Sequence, residues 1–352
     1  SITAANVGSD QVFNITKASG NLVLGSNVFT MQSTDAAGNV GTSTITISRN
    51  EYVAYNGTVG LGPVLSGNDL KVTAYKSDGT VLGTATVATN GTFSVDVDKT
   101  YTGAVTLRVG NATAATGTAD YRDESTNANK DIGGTIAAVV VADGTSQTVH
   151  ITALTDLAAR QLSDSSTNVV AASANQIKAY NLKLSELLGL STTLDITNLQ
   201  PTFVVDASGN ATLSVAGQYG QLLAQISDQA VVKATTMANI QDQLSNAITW
   251  NWNGSAATLT ATGDLAKQVI LLTKVAQAEA LTTGSNASSY LTAGDLSTYG
   301  ITGVSGLTAD RQADLISRIV SAAVSQPLAM MPPRSLVSPP LVALADTQQA
   351  NS

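Results

Sequence analysis

Few residues in this chain have the chemistry to act on a substrate. One histidine, His150, and no cysteine occur in 352 residues. A Ser-His-Asp relay needs the imidazole beside a serine and an acid, and a zinc centre usually recruits several His or Cys. His150 therefore reads as an ordinary strand residue. No Gly-x-Ser-x-Gly elbow, Ser-x-x-Lys pair or phosphate-cradling glycine loop is present. Carboxylates offer more. Asp120, Asp123 and Glu124, in ADYRDES, form the densest acidic cluster of the strand-rich half. They read either as a solvated loop or as a carboxyl pair of the kind that hydrolyses glycosides. Asp96 and Asp98, in SVDVDK, fall two apart and share one face of a strand. With Asp35 of the TDAAGN turn and Asp120/Asp123 they are candidate oxygen ligands for Ca²⁺, although no EF-hand spacing occurs. The expected role of the ion is to stiffen the junction near residues 48–52. Trp250 and Trp252, in TWNWNGS, are the only two tryptophans. On an extended segment both rings face one side, where they either stack on a sugar or close a hydrophobic core. No catalytic residue is assigned.

Composition narrows the classes further. Hydrophobic residues make up 43% of the chain, enough for real cores, while only 12% are charged and 4% aromatic. The remainder is rich in Thr, Ser, Asn and Gly, a hydroxyl-bearing surface that suits exposed β-structure. A net charge of −8 argues against nucleic acid, whose binders displace counterions with a basic stripe. The longest apolar run, Ile136–Ala142, falls far short of the roughly 20 residues that span a bilayer. The first residues, SITAANVGSD, lack the basic and apolar regions of a signal peptide, and the chain is expected to be a segment of a longer protein.

The elements that must position these residues change character along the chain. Residues 1–49 read as strands at Gln11–Thr16, Asn21–Gln32 and Gly41–Ser48, a partial β unit. Val28, Thr30 and Gln32 alternate with Phe29 and Met31, the period of two expected of half-buried strands. Residues 50–151 read as a second β unit. Its strands include Lys71–Tyr75, Val81–Ala88, Thr92–Val97, Val105–Val109, Ile136–Val141 and Thr148–Ile151. Asp78-Gly79 and Asn90-Gly91 predict tight hairpins of type I′, which need positive φ at both central residues. Asn-x-Ser/Thr triplets at Asn56, Asn90 and Asn111 are expected by chance in so Thr- and Asn-rich a chain.

Residues 152–325 shift to helical period. A helix starts at Thr152 or Thr155. Ser173-Ala-Asn-Gln176 is a capping box, followed by Ile177, Tyr180, Leu184 and Leu187/Leu188, with Gly189 as the residue after the cap. Gly217–Ala230 reads as helix. Met237, Ile240, Leu244 and Ile248 form another stripe, as do Leu265, Val269, Leu272 and Ala276, and then Leu315, Ile316, Ile319, Val320 and Ala323. Thr292 and Thr308 read as N-caps. Such short helices must bury their stripes against one another, so a helical bundle is expected. Five of the seven prolines lie in residues 326–352, an extended arm that either links domains or is donated to a neighbouring subunit.

Several stretches resemble known families. STDAAGNVGTSTITIS is similar to the closing hairpin of the bacterial Ig-like repeats of very large surface adhesins. The pattern GTVGLGPVLSGNDLKVTAYKSDGTVLGTATVATNGTFSVDV resembles prealbumin-like sandwiches of the carboxypeptidase-regulatory or collagen-adhesin B type, which serve as spacers. HITALTDLAARQL, LLGLSTTLDITNLQP and LTAGDLSTYGITGVSGLTADRQADLISRI resemble small helical modules of giant adhesins and biofilm proteins. The resemblances imply an α+β multidomain chain, with Ig-like β-sandwich units followed by a mainly helical bundle and a Pro-rich tail. They also imply a non-enzymatic, adhesive or stalk-like role at a bacterial cell surface or in the extracellular medium. The expected partners are neighbouring domains, copies of the same protein and surface glycans. Two alternatives stay open: a surface-layer or filament subunit assembling by strand or arm exchange, and a glycan-binding or polysaccharide-active accessory domain.

Overall fold

Hairpin chemistry sets the first elements. In this computed structural model, which describes residues 22–113, 117–123, 128–202, 214–232, 235–262, 270, 274, 292–298, 307–308, 311–313 and 316, strand β1 (Gly25–Thr34) pairs antiparallel with β2 (Val40–Arg49). The turn between them is closed by Asp35, whose carboxylate accepts the N–H groups of Ala37 (2.9 Å) and Asn39 (2.8 Å). Gly38 supplies the single positive φ, +87°. The expected strand at Gln11–Thr16 lies outside the described residues.

A two-layer β unit follows. Its strands are β3 (Tyr52–Gly60), β4 (Leu70–Lys76), β5 (Val81–Thr86), β6 (Thr92–Asp98), β7 (Thr102–Asn111), β8 (Tyr121–Arg122), β9 (Asn129–Lys130), β10 (Ile136–Asp143), β11 (Gln147–Thr148) and β12 (Ile151–Thr152). One sheet has the order β10-β7-β4-β5; the other sets β3 between β6 and the consecutive short strands β11 and β12. Alternate residues from both sheets, among them Tyr55, Val72, Val95, Leu107 and Val140, meet in one core. The turns at 76–80 and 88–92 differ from the type I′ expectation. Gly79 and Gly91 have positive φ but Asp78 and Asn90 do not. Lys76 N–H reaches Thr80 O and Ala88 N–H reaches Thr92 O, the three-residue loop in which a type I turn is followed by one left-handed glycine. The side chain decides this. Asp78 Oδ1 accepts both the N–H and the hydroxyl of Thr80, and Asn90 Oδ1 does the same for Thr92.

Strand β10 organises the rest. Its sequence, IAAVVVAD, is apolar without alternation, the signature of a strand covered on both faces. Ile136, Ala138, Val140 and Ala142 enter the core between the sheets, whereas Ala137 and Val139 belong to a second core built with helices. Helix α1 (Ala153–Leu162) starts directly from β12. Thr152 is its N-cap, forming a capping box with Thr155. The expected box of Ser173 and Gln176 opens α2 (Ala174–Leu187), and Gly189 follows its cap with φ +72°. After a short 3₁₀ turn at Ile196–Asn198 come α3 (Val215–Val232) and α4 (Met237–Asn246). Leu154, Leu157, Ile177, Tyr180, Leu184, Leu222 and Ile240 pack with Ala137 and Val139.

The stripe expected to run from Met237 to Ile248 stops short: α4 ends at Asn246, and Ile248 opens a hairpin of β13 (Ile248–Trp252) and β14 (Ala257–Ala261). Thr249, Trp250 and Trp252 disfavour a helical turn and favour a strand. Helix α5 (Ala293–Thr298) begins at the expected cap Thr292, whose hydroxyl accepts the N–H of Asp295 at 3.1 Å. The stripe Leu265–Ala276, most of the stripe Leu315–Ala323 and the arm 326–352 lie outside the described residues. The protein is a mixed α+β structure. Among the described residues no helix is long and apolar enough to cross a membrane.

Candidate functional site

The acidic stretch is not a solvated loop. Asp120 is fully buried, and its carboxylate accepts the N–H groups of Asp69 and Ile132, both at 3.0 Å. Asp123 is also buried; it pairs with Lys130 and accepts the hydroxyl of Ser227 on α3 at 3.0 Å. A buried carboxylate survives only when donors or cations replace its water, and here each of the two has them. The pair acts as a double staple, fastening the β8–β9 excursion to the start of β4 and to α3. Glu124 lies outside the described residues.

The five carboxylates proposed for Ca²⁺ do not converge. Asp35 and Asp98 are turn residues. Asp98 Oδ1 accepts the hydroxyl and the N–H of Thr100, and those bonds hold its carboxyl below the ordinary value. The Asn39 side chain does the same for Asp35. Asp96 is exposed on β6. At the junction near 48–52, Glu51 is already paired with Lys99 at 3.0 Å. Among the described residues no group of three or more His, Cys, Asp or Glu is placed to hold a metal ion.

Trp250 and Trp252 do share one side of β13, as the spacing requires, and that side turns inward. Trp250 meets Tyr180 of α2 edge to face, with ring centroids 5.3 Å apart and planes at 76°. Both rings are half-buried, while Thr249 and Asn251 face outward. The hairpin thus sets the Trp250 indole against the helical core.

His150 lies between β11 and β12, buried, with Nδ1 2.8 Å from the Thr58 hydroxyl. Its N–H donates to Thr197 O at 2.8 Å. Burial depresses its basicity below the ordinary value; the ring ties β3 to the last strand, and the backbone N–H ties that strand to the 3₁₀ turn.

One charged site escaped the sequence reading. Asp156 on α1 is buried and accepts Ala137 N–H (2.8 Å) and Arg160 Nε (2.5 Å). Arg160 also pairs with Asp242 of α4. Burial pushes the Asp156 carboxyl up, opposed by Arg160 and by the Ala137 N–H. The four-residue spacing of Asp156 and Arg160 within one helix was the available signal. Its link to β10 and α4 was not visible without the fold.

The first and last strands of the β unit meet at the same place. β3 pairs in parallel with β11 (Gln147↔Tyr55, Thr148↔Asn56) and then with β12 (Ile151↔Val59, Thr152↔Gly60). Gly57 permits the approach: a Cβ there would lie 1.7 Å from Val149 O. Thr152 ends this ladder, caps α1 and bonds the Tyr219 hydroxyl at 2.5 Å. Thr58, His150, Thr152 and Tyr219 thus join β3, the last strand, the start of α1 and α3. No protein-family model, curated protein or solved structure matches this chain.

Proposed function

We propose that this chain is a non-enzymatic structural segment of a bacterial cell-surface or secreted protein, with an adhesive, presenting or stalk-like role. One observation carries the reading: His150, Asp120, Asp123 and Trp250, four of the candidate side chains, are employed in holding elements together. His150 ties β3 to the last strand, Asp120 and Asp123 staple the β8–β9 excursion, and Trp250 seats a hairpin on α2. The two-layer β unit supports the prealbumin-like spacer reading, and the hairpin β1–β2 supports an Ig-like end. Electron microscopy of the native material tests the proposal. Single extended molecules at the cell surface are the expected result, and hydrolysis of any member of a polysaccharide panel would overturn it. Comparing scattering profiles in calcium and in EDTA tests whether a cation stiffens the 48–52 junction; identical profiles reject it.

A second reading, a subunit that assembles by strand addition, is favoured by the hairpin β1–β2. Neither strand contributes to either core, and Val28, Met31, Val40, Ile45 and Ile47 are exposed. Two ten-residue strands without Pro or Lys lack the usual protection of a sheet edge. Removing residues 1–49 is expected to abolish self-association in sedimentation experiments, and removing 326–352 tests the arm as the donor. Association that survives both deletions rejects this reading.

A further inference from the structure

We infer that the parallel pairing of β3 with β11 and β12 is a shear clamp that makes the β unit a force-bearing element. The inference rests on the stalk reading above and names the device that would carry the load. The chain enters the unit at Tyr52 and leaves it at Thr152, and these two points lie at opposite ends of one parallel ladder. Tension between them slides the strands along each other. Rungs lying across the direction of pull are then loaded together and must fail together, whereas an antiparallel pair pulled from one end opens rung by rung.

The rungs are more than the backbone pairs. Val149 N–H donates to Asn56 O at 2.8 Å, Ala54 N–H to Ser146 Oγ at 3.2 Å, and Thr58 Oγ1 meets His150 Nδ1 at 2.8 Å. Tyr55 and Ile151 are fully buried beneath them. Beyond the clamp the chain does not swing free. Thr152 caps α1, and α1 is bonded to β10 through Thr155 to Ala137 O at 3.0 Å and Asp156 to Ala137 N at 2.8 Å. The contrasting geometry exists in the same unit: β6 runs antiparallel to β3, with Tyr52 opposite Asp98 and Lys99 N–H on Glu51 O. Pulling at that end peels the pair.

Single-molecule force spectroscopy on the full chain decides the matter, and the lack of native cysteine permits clean attachment. One protein carries Asn50→Cys with Ser165→Cys and is pulled across the clamp. A second carries Asn50→Cys with Thr100→Cys and is pulled across the antiparallel pair. Unfolding across the clamp is expected at a clearly higher force, in a step that frees chain whose full extension between the two cysteines is about 400 Å. Val149→Pro, which removes the rung from Val149 N–H to Asn56 O, is expected to lower the first force and leave the second unchanged. Equal forces in the two geometries of the unsubstituted clamp overturn the inference, whatever the variant does. A high clamp force in a chain that proves not to be extended at a surface would reject the stalk reading and leave the clamp standing.

Discussion

Asx turns are the commonest small device of the described chain. Asp78, Asn90, Asp98 and Asp143 each accept the N–H and the hydroxyl of a threonine two residues on. The triplet at Asn90, which resembles a chance glycosylation signal, is one of these turns. Replacing Asn90 with Ala removes both bonds and is expected to cost about 1 kcal/mol, read as a lower midpoint in denaturant unfolding. His150 gives a pH dependence of defined sign. Its folded basicity is depressed below 6.5, so the unfolded chain takes the proton first, and stability falls as pH drops below that value. Asp156, raised by burial, acts in the opposite sense at pH above 3.8. The turn carboxylates Asp98 and Asp143, held below 3.8 by their threonine bonds, lose their contribution only at still lower pH. The difference between the unsubstituted protein and His150→Asn isolates the imidazole: the mildly acid limb of the stability curve is expected to flatten in the variant.

At the scale of elements, α1 is the piece on which the layers depend. It has a cap shared with the last strand, an acid bonded to β10 and an arginine reaching α4. Thr152→Ala removes the cap and the contact with the Tyr219 hydroxyl; a loss of about 1–2 kcal/mol is expected from the cap alone. Leu157→Ala, in the helical core, is expected to cost about 2–5 kcal/mol. Thermal or denaturant melts check both, and an unchanged midpoint for Leu157→Ala would mean that the helices do not share the core of β10. Much of this element level was legible beforehand. The Ser173–Gln176 box, the cap at Thr292 and the break at Gly189 follow from bonds spanning three or four residues. The hairpin of β13 and β14 was not, because Met237, Ile240, Leu244 and Ile248 keep helical spacing across the end of α4. The strand preference of Thr249, Trp250 and Trp252, with the packing of Trp250 on Tyr180, wins over that spacing.

Across the whole molecule the described cores are two, and β10 belongs to both. Helices and sheet meet mainly along β10, with Ala104 of β7 joining the helical core and Asp123–Ser227 and Thr152–Tyr219 adding further ties, while the hairpin β1–β2 stands outside either core. A chain beginning at Asn50 is expected to melt at the same temperature as the full protein; a clear drop would show that β1 and β2 support the fold after all. The sequence by itself determined the strand-rich character of residues 50–151, the positions of the turns at Gly79 and Gly91 though not their type, and the caps at Thr152, Ser173 and Thr292. Each of these depends on the alternation of apolar residues or on hydrogen bonds between near neighbours. The tertiary structure alone decided three things. It buried Asp120 and Asp123, it turned the tryptophan face inward, and it set β3 parallel to the last strand. The partners involved are far apart along the chain, Ser227 from Asp123 by 104 residues and His150 from Thr58 by 92. No local periodicity carries information over such separations, so these contacts were settled only when the layers closed on β10.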